Sequence, residues 1–497
     1  MSDELKRRDF LLLAAASGAA FTGFAGSSDG NSLAGTRQPA VPHWHPALDG
    51  TFADDNATLE EAETDQGGIV RRRPRAVLRP RSVEDVVRIV RYANRNRIAV
   101  APRGRGHSAY GQTLAADGIV IDSSTLDKVV SVSGNAMVVD AGASLETVYR
   151  AAYEVGCTLP VTTGCTMLSV GGWIGVGGVG VESPWYGAFT DQVSELQVVT
   201  GEGRLVTCSE TREPELFEMM LAGMGQCGII VRATLRLIPA FGQVTWRTMT
   251  YEALEPFLDD QRRLAADDRF NSLWSGIFRQ QGIWRYRFTV GRFGRNGEDT
   301  DPLALMGPVS RGRVSDPVRR TYAEIAVATF GRPLPAGART GQSSSPARAP
   351  AGSTLVSRPA LALYVPASAA RDIIAPLLAS HSDSAGITTI ECVAQNTQRF
   401  RRQLFRLPNE EQIFTCWILR TAYRDSGPGL AEQLEANARF LERAVALGAK
   451  RYPPFGGVTT PADWRVHYGE NLYRRFAAAK RKYDERSILS PGAGIFG

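Results

Sequence analysis

The sequence is poor in the residues that build metal and dithiol centres. Its 497 residues include five histidines and six cysteines. The histidines show no H-x-x-x-H or H-E-x-x-H spacing and the cysteines no C-x-x-C pair. A protein metal site is therefore not expected. A strong excess of one charge is also missing: 57 Lys and Arg stand against 51 Asp and Glu, a net charge of +6. The arginines are scattered, with short runs only at Arg71–Arg73 and Arg474–Arg475. No basic stripe interleaves with aromatics, which excludes nucleic acid as an expected partner. No G-x-G-x-x-G opens a helix after the first strand, so a Rossmann unit is not expected either.

Long apolar runs are absent as well. The most prominent, from Phe10 to Gly26, is short and rich in Ala and Gly, which argues against a stable membrane span. It follows Arg7 and Arg8 in K-R-R-D-F-L-L-L and reads as a twin-arginine export signal. The export machinery is then a partner, and the mature protein lies on the secreted or cell-envelope side. An exported chain admits disulfides. Cys208, Cys227, Cys392 and Cys416, however, sit in or beside apolar runs, where a buried free thiol is the commoner state.

What is present is glycine in two clusters. The chain is long enough for two or three domains, and its 43% apolar and 22% charged content is ordinary for a soluble protein. After a strand ending near Pro80, Ser82 caps a helix whose apolar face is Val83, Val86, Val87, Val90 and Ala93. The strand Ile98–Val100 then enters R-G-R-G-H-S-A-Y-G-Q, Arg103 to Gln112. Glycines there let the backbone approach a ligand closely, and successive N–H groups make a concave anion site around His107. The second cluster, Thr162 to Gly180, has seven glycines in nineteen residues. It predicts a loop wrapped around a diphosphate rather than a helix.

The turn R-G-R-G-H-S-x-x-G-Q resembles the flavin-attachment turn of cytokinin dehydrogenases, FAD-linked oxidases of the vanillyl-alcohol-oxidase, or PCMH-type, fold. Further motifs resemble the family in order: Val170–Gly172, Leu196–Ser209, Pro214–Pro239, Arg358–Ser368 and three C-terminal pieces from Arg451, Asp463 and Lys482. The resemblance implies an α+β fold with a two-part FAD-binding domain and an α+β substrate cap. Its expected layout is signal and leader 1–35, flexible segment 36–69, FAD-binding domain 70–244, cap 245–445 with a mobile loop at 331–352, and a C-terminal return at 446–497. It also implies FAD bonded through His107, with Arg103, Gly104, Arg105, Gly106, Ser108, Gln112, Ser169, Val170, Gly171, Gly172, Gly175, Ile230 and Ser490 around the cofactor. Cys165 stands six residues before Gly171, the spacing at which some berberine-bridge-like members of the fold bind a second flavin position through sulfur. Single and double attachment both stay open.

The implied reaction is hydride transfer from a small organic substrate to the flavin, reoxidised by O2 or another acceptor. The match departs from the family at the substrate. Cytokinin dehydrogenases hold an aspartate six residues before V-G-G, and that position is Gly164 here. Their entrance glutamate falls near Ser275, and a glutamine near the flavin ring is Ala493. An alcohol, an amine or a secondary metabolite is therefore expected as substrate. Cytokinin dehydrogenase activity proper, or a flavin-holding protein without turnover, are the alternatives. Glu391, a carboxylate in the apolar run I-T-T-I-E-C-V-A, and Tyr364 are the candidates for a replacement base.

Overall fold

The computed structural model describes residues 45–295, 298, 300–307, 312–322, 355–424 and 427–496. The twin-arginine stretch and the segment 331–352 lie outside the described residues.

The expected α+β architecture is present. In the first sheet the strands run in the order Thr51–Ala53, Ala76–Arg79, Ile119–Asp122, Val100–Arg103. The last three are parallel, so the chain must cross over between Ala76–Arg79 and Val100–Arg103. Helix Val83–Asn96 makes that crossover. The Asp85 N–H donates to Ser82 Oγ at 3.2 Å, closing the cap. The helix buries Val86, Val87, Ile89, Val90 and Ala93 against the sheet.

The second sheet is antiparallel, in the order Val129–Ser133, Ala136–Asp140, Ile229–Arg236, Val193–Val199, Leu205–Ser209. The hairpin expected at Leu196–Ser209 is there, with Val199 opposite Leu205.

Two local expectations are corrected. From residue 45 on, the segment 36–69 expected to be flexible is built into the first sheet. Thr51–Ala53 pairs with Ala76–Arg79, helix Asn56–Ala62 buries Leu59 and Ala62, and Asp65 is buried beneath the His107 turn. The second glycine cluster, expected to be a loop, contains a seven-residue helix, Val170–Val176. Its glycines disfavour helix by about 1 kcal/mol each. Burial of Val170, Trp173 and Ile174 outweighs that, since each large apolar side chain contributes about 1.5–3 kcal/mol.

The cap is built on a nine-stranded sheet whose central strands run Ile283–Gly294, Ser272–Gln280, Ile387–Asn396, Gln412–Arg420, Leu361–Pro366. Alternation gives it two faces. Ile390, Cys392 and Ala394 of one strand, and Phe414, Cys416 and Ile418 of its neighbour, pack against helices Leu254–Ala265, Ala370–Ala379 and Leu430–Ala446. Glu391, Val393, Gln395, Thr415, Trp417 and Leu419 face the other way, into a cavity.

The C-terminal segment returns to the first sheet. The Val100 N–H donates to the Ile488 carbonyl, and the Ser490 N–H to the Val100 carbonyl, both at 2.8 Å. Within it Lys480 and Asp484 form a buried ion pair at 2.6 Å. Asp484 also accepts the N–H groups of Ile488 and Leu489, so the charge that burial would penalise is fully partnered. No described helix is long and apolar enough to cross a membrane.

Candidate active site

A cavity of about 350 Å³ lies between the two small sheets and the cap. Its floor is the His107 turn. Gly106 and Gly111 have φ of +62° and +83°, a backbone region that side chains rarely adopt. A β-carbon on Gly104 would collide with Ser169 Oγ, where the two glycine segments cross. The backbone N–H groups from Gly104 to Ser108 donate to no acceptor among the described residues. That is a ready anion cradle. The second segment differs: Val170 N–H donates to Ala143, Gly171 N–H to Ala141 and Gly172 N–H to Ser169 Oγ. The donors expected to meet a diphosphate there are already engaged, and those of the first turn are free. Free N–H groups beside glycines that admit close approach fit a dinucleotide cofactor.

The turn is held from below by Asp65, which sequence reasoning missed. Its carboxylate accepts Ser108 Oγ at 3.0 Å and the Gly111 N–H at 2.7 Å. Burial pushes this carboxyl up to about 6, against the pull of those two donors and of Arg103. Asp65 falls in the stretch 36–69 that reads as a flexible segment, so no local pattern marks it. Arg103 donates to the Thr64 carbonyl at 2.7 Å and braces the turn without lining the cavity. Gln112 ties the turn to the C-terminal segment, its Nε2 donating to the Pro453 carbonyl at 3.2 Å.

His107 presents one edge to the cavity. Burial, followed by the nearby Arg358 charge, lowers its imidazole to about 4, so the ring is neutral at pH 7. Cys165 Sγ lies 3.7 Å from His107 Nε2, and burial pushes this thiol up to about 12. Phe455 packs edge-on to His107 at 5.6 Å between ring centroids, and Trp417 packs on Phe455 at 5.1 Å. Trp417 is the direct cross-strand partner of Glu391. One row of side chains thus connects the histidine to the carboxylate across the cavity.

Glu391 has no cationic partner among the described residues. Its enclosure in an apolar wall pushes its carboxyl up to about 8, against a weaker pull from Trp274. A charge-paired surface glutamate would move the other way. Tyr364, the other base candidate, is buried between Phe405 and Tyr452 and is not among the cavity-lining residues. Ser275 turns to the Cys392 backbone and does not line the cavity. Gly164 does line it, and contributes no side chain.

Of the expected cofactor residues, Gly104, Arg105, Gly106, His107, Ser108, Gln112, Cys165, Ser169, Gly171, Gly172, Gly175, Ile230 and Ser490 line the cavity. Val170 does not: its side chain is buried in the core. Ser490 holds φ of +52°, with its Oγ donating to the Gly225 carbonyl at 3.0 Å. Ala493, in place of a family glutamine, is buried, and its carbonyl accepts the Trp464 indole at 3.1 Å.

Comparison with known proteins gives a consistent result. Residues 74–209 match the FAD binding domain family, and residues 341–496 match the family described as cytokinin dehydrogenase 1, FAD and cytokinin binding. An uncharacterized oxidoreductase in the fasciation locus of Rhodococcoides fascians is 30% identical over 90% of this chain and 99% of its own. Cytokinin dehydrogenase 10 of Oryza sativa subsp. japonica is 30% identical over 89% of this chain and 88% of its own. Among solved structures, 6-hydroxy-D-nicotine oxidase from Arthrobacter nicotinovorans has a TM-score of 0.69 at 18% identity. It covers 90% of this chain and 98% of its own, a likeness of fold. The two family matches and the relatives at 30% identity agree, and the chain belongs to the cytokinin dehydrogenase-like family of FAD-dependent oxidoreductases.

Proposed function

We propose that the protein is an exported oxidase or dehydrogenase that removes hydride from a carbon bearing a hydroxyl or amine in a small organic substrate. FAD, when bound, accepts the hydride and passes its electrons to O2 or another acceptor. The observation that carries this reading is Glu391, a buried carboxyl on the cavity wall beside Trp417, without a cationic partner among the described residues and pushed by burial up to about 8. A group poised close to neutral pH is suited to take the proton from the substrate O–H or N–H. The same observation favours turnover over a flavin-holding role. Export is supported by the Arg7–Arg8 motif.

The substrate is a different one from that named in the plant relatives. Gly164 supplies no proton acceptor where those enzymes hold an aspartate, so the acid–base work passes to the cap. The test is an anaerobic screen of alcohols and amines against the purified yellow protein. Bleaching by members of either class supports the reading. A flavin that stays oxidised with all of them contradicts it.

His107 holds the flavin covalently in this reading, through a ring nitrogen to the 8α-methyl. A neutral imidazole has the free lone pair this bond needs. Cys165 is near enough to be a second anchor, but the thiolate is the reactive form and burial keeps this thiol protonated. The nearest base, His107, is itself too weak to remove the proton. Mass mapping of flavin-bearing peptides should therefore find His107 alone, and Cys165→Ala should keep its covalent colour. A flavin peptide joined to both residues would show that Cys165 is activated in a way this structure lacks.

A further inference from the structure

The cap sheet carries a cysteine pair that the cavity does not use. Cys392 and Cys416 are direct partners in the register of Ile387–Asn396 with Gln412–Arg420. Both are buried on the helix-covered face. Their sulfur atoms lie 3.0 Å apart, closer than the ~3.5–4.0 Å at which smaller carbon atoms settle.

The backbone explains the approach. The Cys392 N–H donates to Ser275 Oγ at 3.1 Å, and the Cys392 carbonyl accepts from the same hydroxyl at 2.5 Å. Both polar groups therefore point at the strand Ser272–Gln280 and away from Cys416. A residue turned away from its antiparallel partner belongs to a non-hydrogen-bonded pair, with Cα atoms about 4.5 Å apart and side chains at their closest. That spacing falls inside the ~4.4–6.8 Å that a disulfide spans. Ser275 thus has a role of its own: its hydroxyl fills the gap between two strands that share the single register pair Ile277–Ile390.

We propose that Cys392 and Cys416 close into an intrachain disulfide when the protein meets a small-molecule or protein disulfide as oxidant. One cysteine sulfur attacks the oxidant's S–S bond, giving a mixed disulfide and releasing one thiol. The second cysteine sulfur attacks the mixed disulfide, forming the Cys392–Cys416 bond and releasing the other thiol. The two cysteines together lose two protons and two electrons, and the oxidant leaves as two thiols. Burial holds the Cys392 thiol well above its ordinary range, so the exchange goes through local opening of the sheet. The rung beside the pair carries Glu391 and Trp417, and the bond fixes the spacing of that rung.

The test uses the full-length flavoprotein held with oxidised glutathione until its thiol content stops changing, beside a sample held in dithiothreitol. Both are denatured in iodoacetamide and digested. The expected result is a pair of peptides joined through Cys392 and Cys416, lighter than their sum by two hydrogens and lost on reduction. The thermal midpoint of the oxidised sample should lie above that of the reduced one, and Cys416→Ser should abolish this difference. Should that variant fail to fold, the peptide map of the unaltered protein decides alone. Recovery of Cys392 and Cys416 as alkylated thiols from the oxidised sample, or of either joined to another cysteine, overturns the proposal.

Discussion

Replacing Glu391 by glutamine is expected to slow flavin bleaching by substrate about 10²–10⁴-fold, the usual cost of losing a positioned base, while the protein stays yellow. The amide keeps the size of the carboxyl and cannot accept a full proton. The cap packing is therefore preserved, and the defect belongs to chemistry rather than folding. The unaltered enzyme carries a pH signature as well. Because burial raises Glu391 to about 8, it is mostly protonated at pH 7 and becomes competent as pH rises. The bleaching rate should climb through about pH 8 and level off above it, and the glutamine variant should lose that step. Stopped-flow bleaching under nitrogen across pH reads both effects. A variant with the unaltered rate and pH profile would remove Glu391 from the mechanism.

Isopentenyladenine should be a poor substrate, oxidised about 10²–10⁴-fold more slowly than by family members that hold the aspartate, because a placed proton acceptor is missing. Gly164 lines the cavity on the His107 side and brings no side chain. Ser275, at the entrance-glutamate position, is spent on the Cys392 backbone. The carboxylate that remains, Glu391, stands on the cap wall. Steady-state oxidation of isopentenyladenine beside a family member decides the point. Comparable rates would mean that the cap carboxylate, or a residue elsewhere in the cavity, replaces the aspartate for the same substrate.

The His107 turn was legible in the sequence because its glycines mark it locally: they admit the positive φ and the close backbone approach that the turn needs. Glu391 was legible for a different reason, as a carboxylate in the middle of a β-branched run. Asp65 was not, since its partners Ser108 and Gly111 lie more than forty residues away and its own neighbourhood reads as a flexible segment. The helix Val170–Val176 was hidden because glycine content argues against helix, whereas buried Trp173 and Ile174 decide for it only after folding. The row His107, Phe455, Trp417, Glu391 joins four distant segments, and nothing in any one of them announces the others. Pairing was equally hidden at Cys392 and Cys416. Each reads as a buried thiol, and strand register brings them face to face.

The most direct test of the account is the fate of the yellow colour in acid. In the proposed function the neutral His107 imidazole, which lines the cavity, is bonded to the flavin. When the purified protein is precipitated with trichloroacetic acid, the flavin should remain with the pellet. His107→Ala, folded and yellow before treatment, should release its flavin wholly into the supernatant. Complete release from the unaltered protein would contradict the account at its centre.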